Sequence, residues 1–135
     1  MTETKKAFVV QPDGTNYIQW FQEAPLRILQ EAVEGLIEPI QITEDLTLWV
    51  NEEGKLTGKT PNFVATNFYT RKYGAGDIVV GTVVFTGGTD DEGETLGLTT
   101  ETIVLLQKVT DKLLAGATPE DLEAWQNEVK EQVQV

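Results

Sequence analysis

The sequence contains neither cysteine nor histidine. Without cysteine, the chain has no disulfide bond, no thiolate nucleophile and no cysteine-ligated zinc site. Without histidine, imidazole-based catalysis is excluded, so any acid/base chemistry would fall to carboxylates, lysine or tyrosine. These absences exclude metalloenzymes and serine or cysteine hydrolases built around an imidazole. We expect a protein that is not an enzyme and that carries neither a metal ion nor a cofactor.

Long hydrophobic runs are also missing from the sequence. The opening residues, MTETKKAFVVQPDG, contain two lysines and then only four consecutive apolar residues. Such a run is too short for a signal peptide or a membrane span. We therefore expect a soluble protein of the cytoplasm that makes no contact with a membrane.

Basic residues are scarce in the second half of the chain, and the net charge is −12. Residues 1–72 contain ten acidic and seven basic residues, whereas residues 73–135 contain twelve and three, with no basic residue between Lys72 and Lys108. Direct binding to nucleic acid is disfavoured, because phosphate contacts require clustered lysine and arginine. The acidic half either binds a basic partner protein, with DNA mimicry as the extreme form, or keeps a small domain soluble.

The apolar residues predict strands and helices in a defined order. Strands are predicted at Lys6–Val10, at Ile40 and Ile42 paired antiparallel with Leu46–Val50, and at 77–87, whose apolar residues occupy both faces. The first predicted helix starts at Pro25 and carries Leu26, Leu29, Ala32 or Val33, and Leu36 on one face. Further helices are predicted over Phe63–Tyr73 behind an Asn62 cap, from Thr99 or Thr100, and from the capping box Thr118-Pro119-Glu120-Asp121.

The length of 135 residues and this order of elements predict a single α+β domain, residues 1–135. We expect a mainly antiparallel sheet of four or five strands, helices packed against it, and two consecutive C-terminal helices.

The segment NEEGK, residues 51–55, ends an apolar strand with turn-forming residues. We predict a tight hairpin in which Gly54 has a positive φ and Lys55–Thr57 returns as a short strand. If the turn brings the two adjacent carboxylates together near the lysine, the segment is an acid/base or ligand-binding set; the alternative is a solvated turn. The candidate binding residues of this region are Asn51, Glu52, Glu53, Lys55 and Asn62.

The loop between Gly87 and Gly97 is rich in glycine and acidic residues, which predicts an exposed and mobile segment. Calcium and magnesium prefer carboxylate ligands, but Gly88 stands five residues before Gly93, where the EF-hand pattern requires Asp or Asn. We therefore favour a solvated loop that binds no metal and belongs to the acidic surface. Its candidate contact residues are Asp90, Asp91 and Glu92.

Two apolar features have alternative interpretations. The aromatic cluster consists of Tyr17, Trp20 and Phe21. It forms either a ligand platform or an extension of the core. The stripe on the last helix consists of Leu122, Trp125, Val129 and Val133. This stripe packs on its own chain or docks on a partner, and with the apolar strand 77–86 it makes a homo-oligomer one of the alternatives.

Several motifs resemble, in their order, a family of small domains of unknown function from bacteriophages and from bacteria that carry mobile elements. The motifs are LQEAVEGLIEPI at 29–40, LWVNEEGKLTGKTPN at 48–62, and DIVVGTVVFTGGTDDEGETLGLTTE at 77–101. NEEGK matches the family's turn in full, whereas VEGLIE at 33–38 departs from its VGGYIE-like stretch at the second and fourth positions. The resemblance covers residues 7–109, and it makes the C-terminal helix at 117–135 and the aromatic segment near Trp20 additions.

The resemblance implies a phage origin and a shared role for NEEGK and Asn62, but it supplies no catalytic residue. Together with the charge distribution, it suggests a non-enzymatic phage accessory protein in the host cytoplasm. Such a protein would bind a basic host protein through its acidic surface, in a host-takeover or anti-defence role. The alternative is a domain that binds a small ligand or a nucleotide derivative at the NEEGK turn.

Overall fold

The computed structural model describes residues 4–22 and 24–133, which form an α+β domain built on a five-stranded antiparallel sheet. The strands are β1 (Lys5–Val10), β2 (Asn16–Phe21), β3 (Ile37–Thr43), β4 (Leu46–Asn51) and β5 (Val83–Thr86). The helices are α1 (Leu26–Val33), α2 (Phe63–Tyr73), α3 (Thr100–Leu114) and α4 (Pro119–Val133). The strand order is β2-β1-β5-β4-β3. The predicted fold class is therefore confirmed, including the two consecutive C-terminal helices.

The central strand, β5, is buried on both faces, as its doubly apolar pattern predicts. Val84 packs beneath α1, whereas Val83 and Phe85 belong to the larger core cluster beneath α2 and α3. Regular strand structure begins later than predicted, because Gly81 has a φ of +80° and turns the chain just before the strand. The sheet is thus the middle of three layers.

One outer layer is α1, which buries Leu29 and Val33 against the sheet. The helix ends at Val33 because Glu34 adopts a left-handed conformation, with a φ of +62°. The prediction that Leu26 and Leu36 lie on the core face is wrong. Leu26 is the first residue of the helix and Leu36 lies beyond its last turn, so both are exposed.

The other outer layer is formed by α2 and α3, which begin where their capping signals predict. The side chain of Asn62 accepts the N–H of Ala65, and the side chain of Thr99 accepts the N–H of Thr102. Both helices bury their inner sides in the larger core cluster. The caps therefore fix where the second helical layer starts.

The start of α4 is the predicted capping box. The N–H of Asp121 donates to Thr118 Oγ1 (3.1 Å), and the N–H of Thr118 donates to Asp121 Oδ2 (3.0 Å). Each residue thereby satisfies one backbone donor at the start of the helix. This reciprocal pair fixes where the last helix begins.

The apolar stripe of α4 packs on its own chain. Trp125 contacts the ring of Phe63 edge-to-face, with centroids 5.1 Å apart, and Val129 is buried. Gln126 donates to a backbone carbonyl in the β1–β2 turn (3.0 Å). The side chain of Val133, the last residue of the predicted stripe, lies outside the described residues. In the part of the chain that the structure describes, no helix is long and apolar enough to cross a membrane.

Candidate functional site

Asn51, the last residue of β4, is buried and hydrogen-bonds through both ends of its side-chain amide. Its Nδ2 donates to the carbonyl oxygens of Val33 (3.0 Å) and Glu34 (3.3 Å), and its Oδ1 accepts the N–H of Glu53 (2.8 Å). A Cβ at Gly35 would lie 2.7 Å from Asn51 Nδ2, so the amide occupies the space that a larger residue there would need. Asn51 thus joins the end of α1 to the end of β4.

Residues 52–58 form a compact series of turns rather than the predicted hairpin. The N–H of Thr57 donates to the carbonyl oxygen of Glu53 (3.0 Å), a spacing that coils the chain instead of returning it along β4. The prediction of a return strand at Lys55–Thr57 is therefore wrong.

Gly54 also differs from its predicted role, because its φ is not positive. A Cβ at this position would lie 2.8 Å from Cγ2 of Val80. Gly54 is therefore required by close packing, whereas the positive φ of this segment falls at Gly58, with +72°.

A cleft of about 160 Å³ lies between this turn, β3 and the segment before β5. Lys55 forms an ion pair with Asp77 beside the cleft, and both side chains are about half exposed. Glu52 lines the cleft, but Glu53 does not, so the turn does not direct the two adjacent carboxylates to the same place. The polar residues that line the cleft are Glu38, Asn51, Glu52, Lys55, Tyr69 and Asp77.

The chemistry of the cleft favours a small cationic group. Three carboxylates and one lysine give it a negative balance, and Ile40 and Val50 supply an apolar wall. Its volume is below the roughly 300–1,000 Å³ of pockets that enclose drug-sized ligands. Phosphate groups would be repelled by the carboxylates, which disfavours a nucleotide derivative.

Asn62, the other predicted partner of the NEEGK turn, lies outside the cleft and has no exposed surface, at 0%. Its Nδ2 donates to the carbonyl oxygens of Val10 (3.1 Å) and Gly81 (3.0 Å), and its Oδ1 accepts the N–H of Ala65 (3.0 Å). It therefore connects the end of β1, the turn before β5 and the start of α2. Both asparagines of the motif region act inside the fold.

The acidic loop after β5 is folded back on itself. Thr89 and Thr95 form a β-bridge, and Asp90 Oδ1 accepts the N–H groups of Glu92 and Glu94, both at 2.9 Å. The outer part of the loop, including Asp91, is exposed. Within the residues that the structure describes, no group of three or more carboxylates is arranged to hold a metal ion.

The base of this loop packs against the β3–β4 turn. Gly88 lies so close to the backbone of Glu44 that a Cβ would overlap the carbonyl oxygen of that residue. The contact places the β3–β4 turn, which carries Glu44 and Asp45, against the base of the acidic loop at one end of the sheet. We call this group of six exposed residues the acidic rim: Glu44, Asp45, Asp90, Asp91, Glu92 and Glu94.

The carboxylates of the acidic rim are unpaired within the part of the chain that the structure describes. None of its six carboxylates makes an ion pair with another of the described residues. Lys5 reaches the loop, but its Nζ donates to the carbonyl oxygen of Thr95 (2.8 Å). Glu44 and Asp45 were not predicted to belong to a site; the available signal was the pair Gly87-Gly88, since adjacent glycines permit a close backbone approach.

The aromatic cluster of the sequence forms part of β2, the strand at one edge of the sheet. Only Phe21 extends the core. Tyr17 and Trp20 are 45% and 53% exposed, and Lys6 Nζ lies 5.8 Å from the centroid of the Trp20 ring. These exposed rings do not line the cleft.

These features define a small α+β domain with a tightly hydrogen-bonded interior and two acidic surface regions. A family model matches residues 4–113, and the chain belongs to that family, the domain of unknown function (DUF3846). The match includes the aromatic segment near Trp20, so the prediction that this segment is an addition is wrong. The match ends in the last turn of α3 and does not include α4. No curated protein and no solved structure matches the chain.

Proposed function

We propose that this domain is a non-enzymatic bacteriophage accessory protein that acts in the host cytoplasm by binding a basic host protein through the acidic rim. The observation that carries the proposal is the contact between Gly88 and Glu44, which joins two acidic segments that are far apart in the sequence. A surface with six exposed carboxylates, none of them in an ion pair within the described chain, attracts a positively charged protein and orients its approach.

The charge distribution of the second half of the chain supports the same proposal. All twelve acidic residues of 73–135 are exposed, and only Asp77 takes part in an ion pair within the described chain. A field of one sign speeds the encounter with a basic protein and repels nucleic acid. DNA mimicry, a host-takeover role and an anti-defence role are compatible forms of this binding.

Charge removal at the acidic rim tests the proposal. We expect the triple variant Asp91→Asn, Glu92→Gln, Glu94→Gln to raise the Kd for the captured host protein at least tenfold, or about 1.4 kcal/mol. Asp90 is kept because it holds the loop through two backbone N–H groups. The immobilised domain is first exposed to bacterial host lysate at low and high salt, and the Kd of the purified partner is then measured by calorimetry.

The matched control carries the same change of charge on α4, with Glu123→Gln, Glu128→Gln and Glu131→Gln, all at exposed positions. Since this set lies outside the acidic rim, it should change the Kd by less than about twofold if the rim is the contact surface. Equal weakening by both triple variants, or capture that salt does not release, contradicts the proposal. Competition by duplex DNA for the same partner would support the mimicry form.

The cleft beside residues 51–56 supports a second candidate, a site for a small cationic ligand. Glu52 lines this cleft and its neighbour Glu53 does not, which provides a matched pair of variants. With agmatine as a guanidinium probe, we expect Glu52→Gln to weaken binding about tenfold and Glu53→Gln to leave it within about twofold in calorimetry. Equal effects of the two variants, or no binding by the wild type, contradict this candidate.

A further inference from the structure

The two edges of the sheet differ in how they are protected against pairing with another strand. At one edge, β3 contains Pro39, the exposed Glu38 and a register shift between Gln41 and Thr43. Proline, charge and bulges are the features by which proteins prevent edge-to-edge association. At the other edge, β2 reads NYIQWF and contains no proline and no charged residue.

The backbone of β2 has donors and acceptors that point away from the sheet. The N–H of Gln11 donates to the carbonyl oxygen of Thr15 (2.9 Å), so these two residues form a hydrogen-bonded pair. Hydrogen-bonded and non-hydrogen-bonded pairs then alternate along the β1–β2 hairpin. This alternation directs the N–H and C=O groups of Ile18 and Trp20 outward. The backbone of Lys6, the residue paired with Trp20, fits this alternation. Its carbonyl oxygen accepts the N–H of Leu98, just before α3, and not an N–H of β2.

The outward groups are accompanied by exposed apolar side chains on both faces of β2. Ile18 is 38% exposed, and Tyr17 and Trp20 are about half exposed. The side-chain amide of Gln19 donates to the carbonyl oxygen of Trp20 (3.1 Å), a bond that a neighbouring strand would replace. An uncharged, unprotected edge with these features is a template for strand addition.

Two other surfaces that the sequence suggested for self-association are filled by the chain itself. Strand β5 lies at the centre of the sheet, and Trp125 packs against Phe63. Of the three apolar features that the sequence singled out, the β2 edge is therefore the one that remains open to a second copy of the chain.

We propose that two copies of this chain pair through β2, antiparallel about a two-fold axis at Gln19, to form a continuous ten-stranded sheet. This proposal is independent of the function proposed for the acidic rim. In this register, Ile18 of each copy faces Trp20 of the other, and Tyr17 faces Phe21. Each pair combines an aromatic side chain with a β-branched or a second aromatic one, and such cross-strand pairs stabilise neighbouring strands.

The second copy fits better than an unrelated strand because the edge is complementary to itself. On one face of the joined sheet, a row of neighbouring side chains runs from Lys6 and Trp20 of one copy to Ile18 and Phe8 of the other. No like charges lie opposite each other in this row. Each copy also satisfies the outward Ile18 and Trp20 backbone groups of the other, as an isologous interface requires. For a chain of net charge −12, an uncharged contact surface avoids the repulsion that other faces would create.

The expected dimer is weak. Aromatic side chains bury roughly 150–250 Å², so the half-exposed Tyr17 and Trp20 contribute roughly 100 Å² each. With Ile18 and the same groups of the second copy, the side chains supply roughly 500 Å², below the roughly 1,200 Å² of the smallest stable interfaces. Backbone pairing adds to this area, and we expect dissociation in the micromolar range.

Sedimentation velocity over a concentration series, about 1 µM to about 1 mM, tests the dimer. We expect the wild type to shift from monomer to dimer and Ile18→Lys to raise the dissociation constant at least tenfold. Gln41→Lys, at an exposed position of the β3 edge, adds the same charge and should dimerise like the wild type. Circular dichroism confirms that both variants are folded.

The absence of cysteine allows a direct test of the register. Residues at the two-fold axis lie about 4.5 Å apart between Cα atoms in a non-hydrogen-bonded pair, within the range of a disulfide. Gln19→Cys should therefore form a disulfide-linked dimer under mild oxidation, whereas Gln41→Cys should not. A wild type that stays monomeric throughout, a dimer unaffected by Ile18→Lys, or Gln19→Cys that fails to cross-link overturns the proposal.

Discussion

Asn62→Ala is expected to lower the free energy of unfolding by about 3 kcal/mol, because it removes a helix cap and two donors to buried carbonyl groups. The lost partners are the N–H of Ala65 and the carbonyl oxygens of Val10 and Gly81. With Asn62 fully buried, water cannot replace them easily. Urea unfolding followed by tryptophan fluorescence measures the change.

Asn67→Ala is the matched control for this experiment. Asn67 lies further along α2, is half-buried, and donates one hydrogen bond to the carbonyl oxygen of Phe63 (2.8 Å). Its loss should cost about 1 kcal/mol or less. A second variant, Asn62→Asp, keeps the acceptor for the helix cap but cannot donate to the two carbonyl groups. If Asn62→Ala were no more destabilising than Asn67→Ala, the role assigned to Asn62 would be wrong.

Gly88→Ala should destabilise the domain by about 2 kcal/mol, the middle of the range for overpacked positions. The new Cβ would overlap the carbonyl oxygen of Glu44, and backbone atoms on both sides leave no flexible side chain to move aside. Relief requires the loop to separate from the β3–β4 turn. The same variant should therefore weaken binding of the basic partner under conditions in which it is still folded.

Gly93→Ala is the matched control, because it introduces backbone strain at a glycine without a steric clash of the new Cβ. Gly93 has a φ of +84° but no heavy atom within 4 Å of the position that an alanine Cβ would occupy, so this substitution should cost only about 1 kcal/mol of backbone strain. Urea unfolding and the partner Kd are compared for the two variants. Equal stability and equal binding of both would show that the Gly88 contact does not position the acidic rim.

The parts of the fold that the sequence predicts are those determined by neighbouring residues. Ile40 and Ile42 have the period of a strand, and Asn62, Thr99 and Thr118 each carry their own capping signal. These signals need no information from distant parts of the chain. They account for the positions of β3 and of the last three helices.

The turn after β4 could not be predicted in the same way. Asn and Gly suit a hairpin and a coiled turn equally, and the choice depends on Val80, which packs against Gly54 from a distant segment. β2 was also hidden, because its apolar residues are exposed on both faces and therefore do not alternate with polar ones. The spacing of apolar residues predicts secondary structure only where one face of an element is buried and the other is exposed. The turn after β4 and the exposed strand β2 both lack such a pattern.

In the candidate sites, too, the sequence predicts what neighbouring residues determine and misses what distant contacts determine. The acidic loop is visible in the sequence, but its union with Glu44 and Asp45 depends on a backbone contact at Gly88. Likewise, NEEGK is recognisable as a motif, but the sequence does not reveal that the Asn51 amide is bound within the fold. Nor does it reveal that, of the two glutamates, Glu52 lines the cleft and Glu53 does not. Side-chain direction in an irregular turn follows from tertiary packing, which no spacing rule supplies.

The central position of β5 has a consequence for the order in which the protein assembles during synthesis. β1–β2 and β3–β4 are local hairpins that are complete early in the chain, but the pairs that join them, β1–β5 and β4–β5, require residues 83–86. Until those residues leave the ribosome, two hairpins with open edges coexist in the nascent chain, and such edges are prone to aggregation. Closure of the sheet therefore waits for long-range pairing, which is slow compared with hairpin formation.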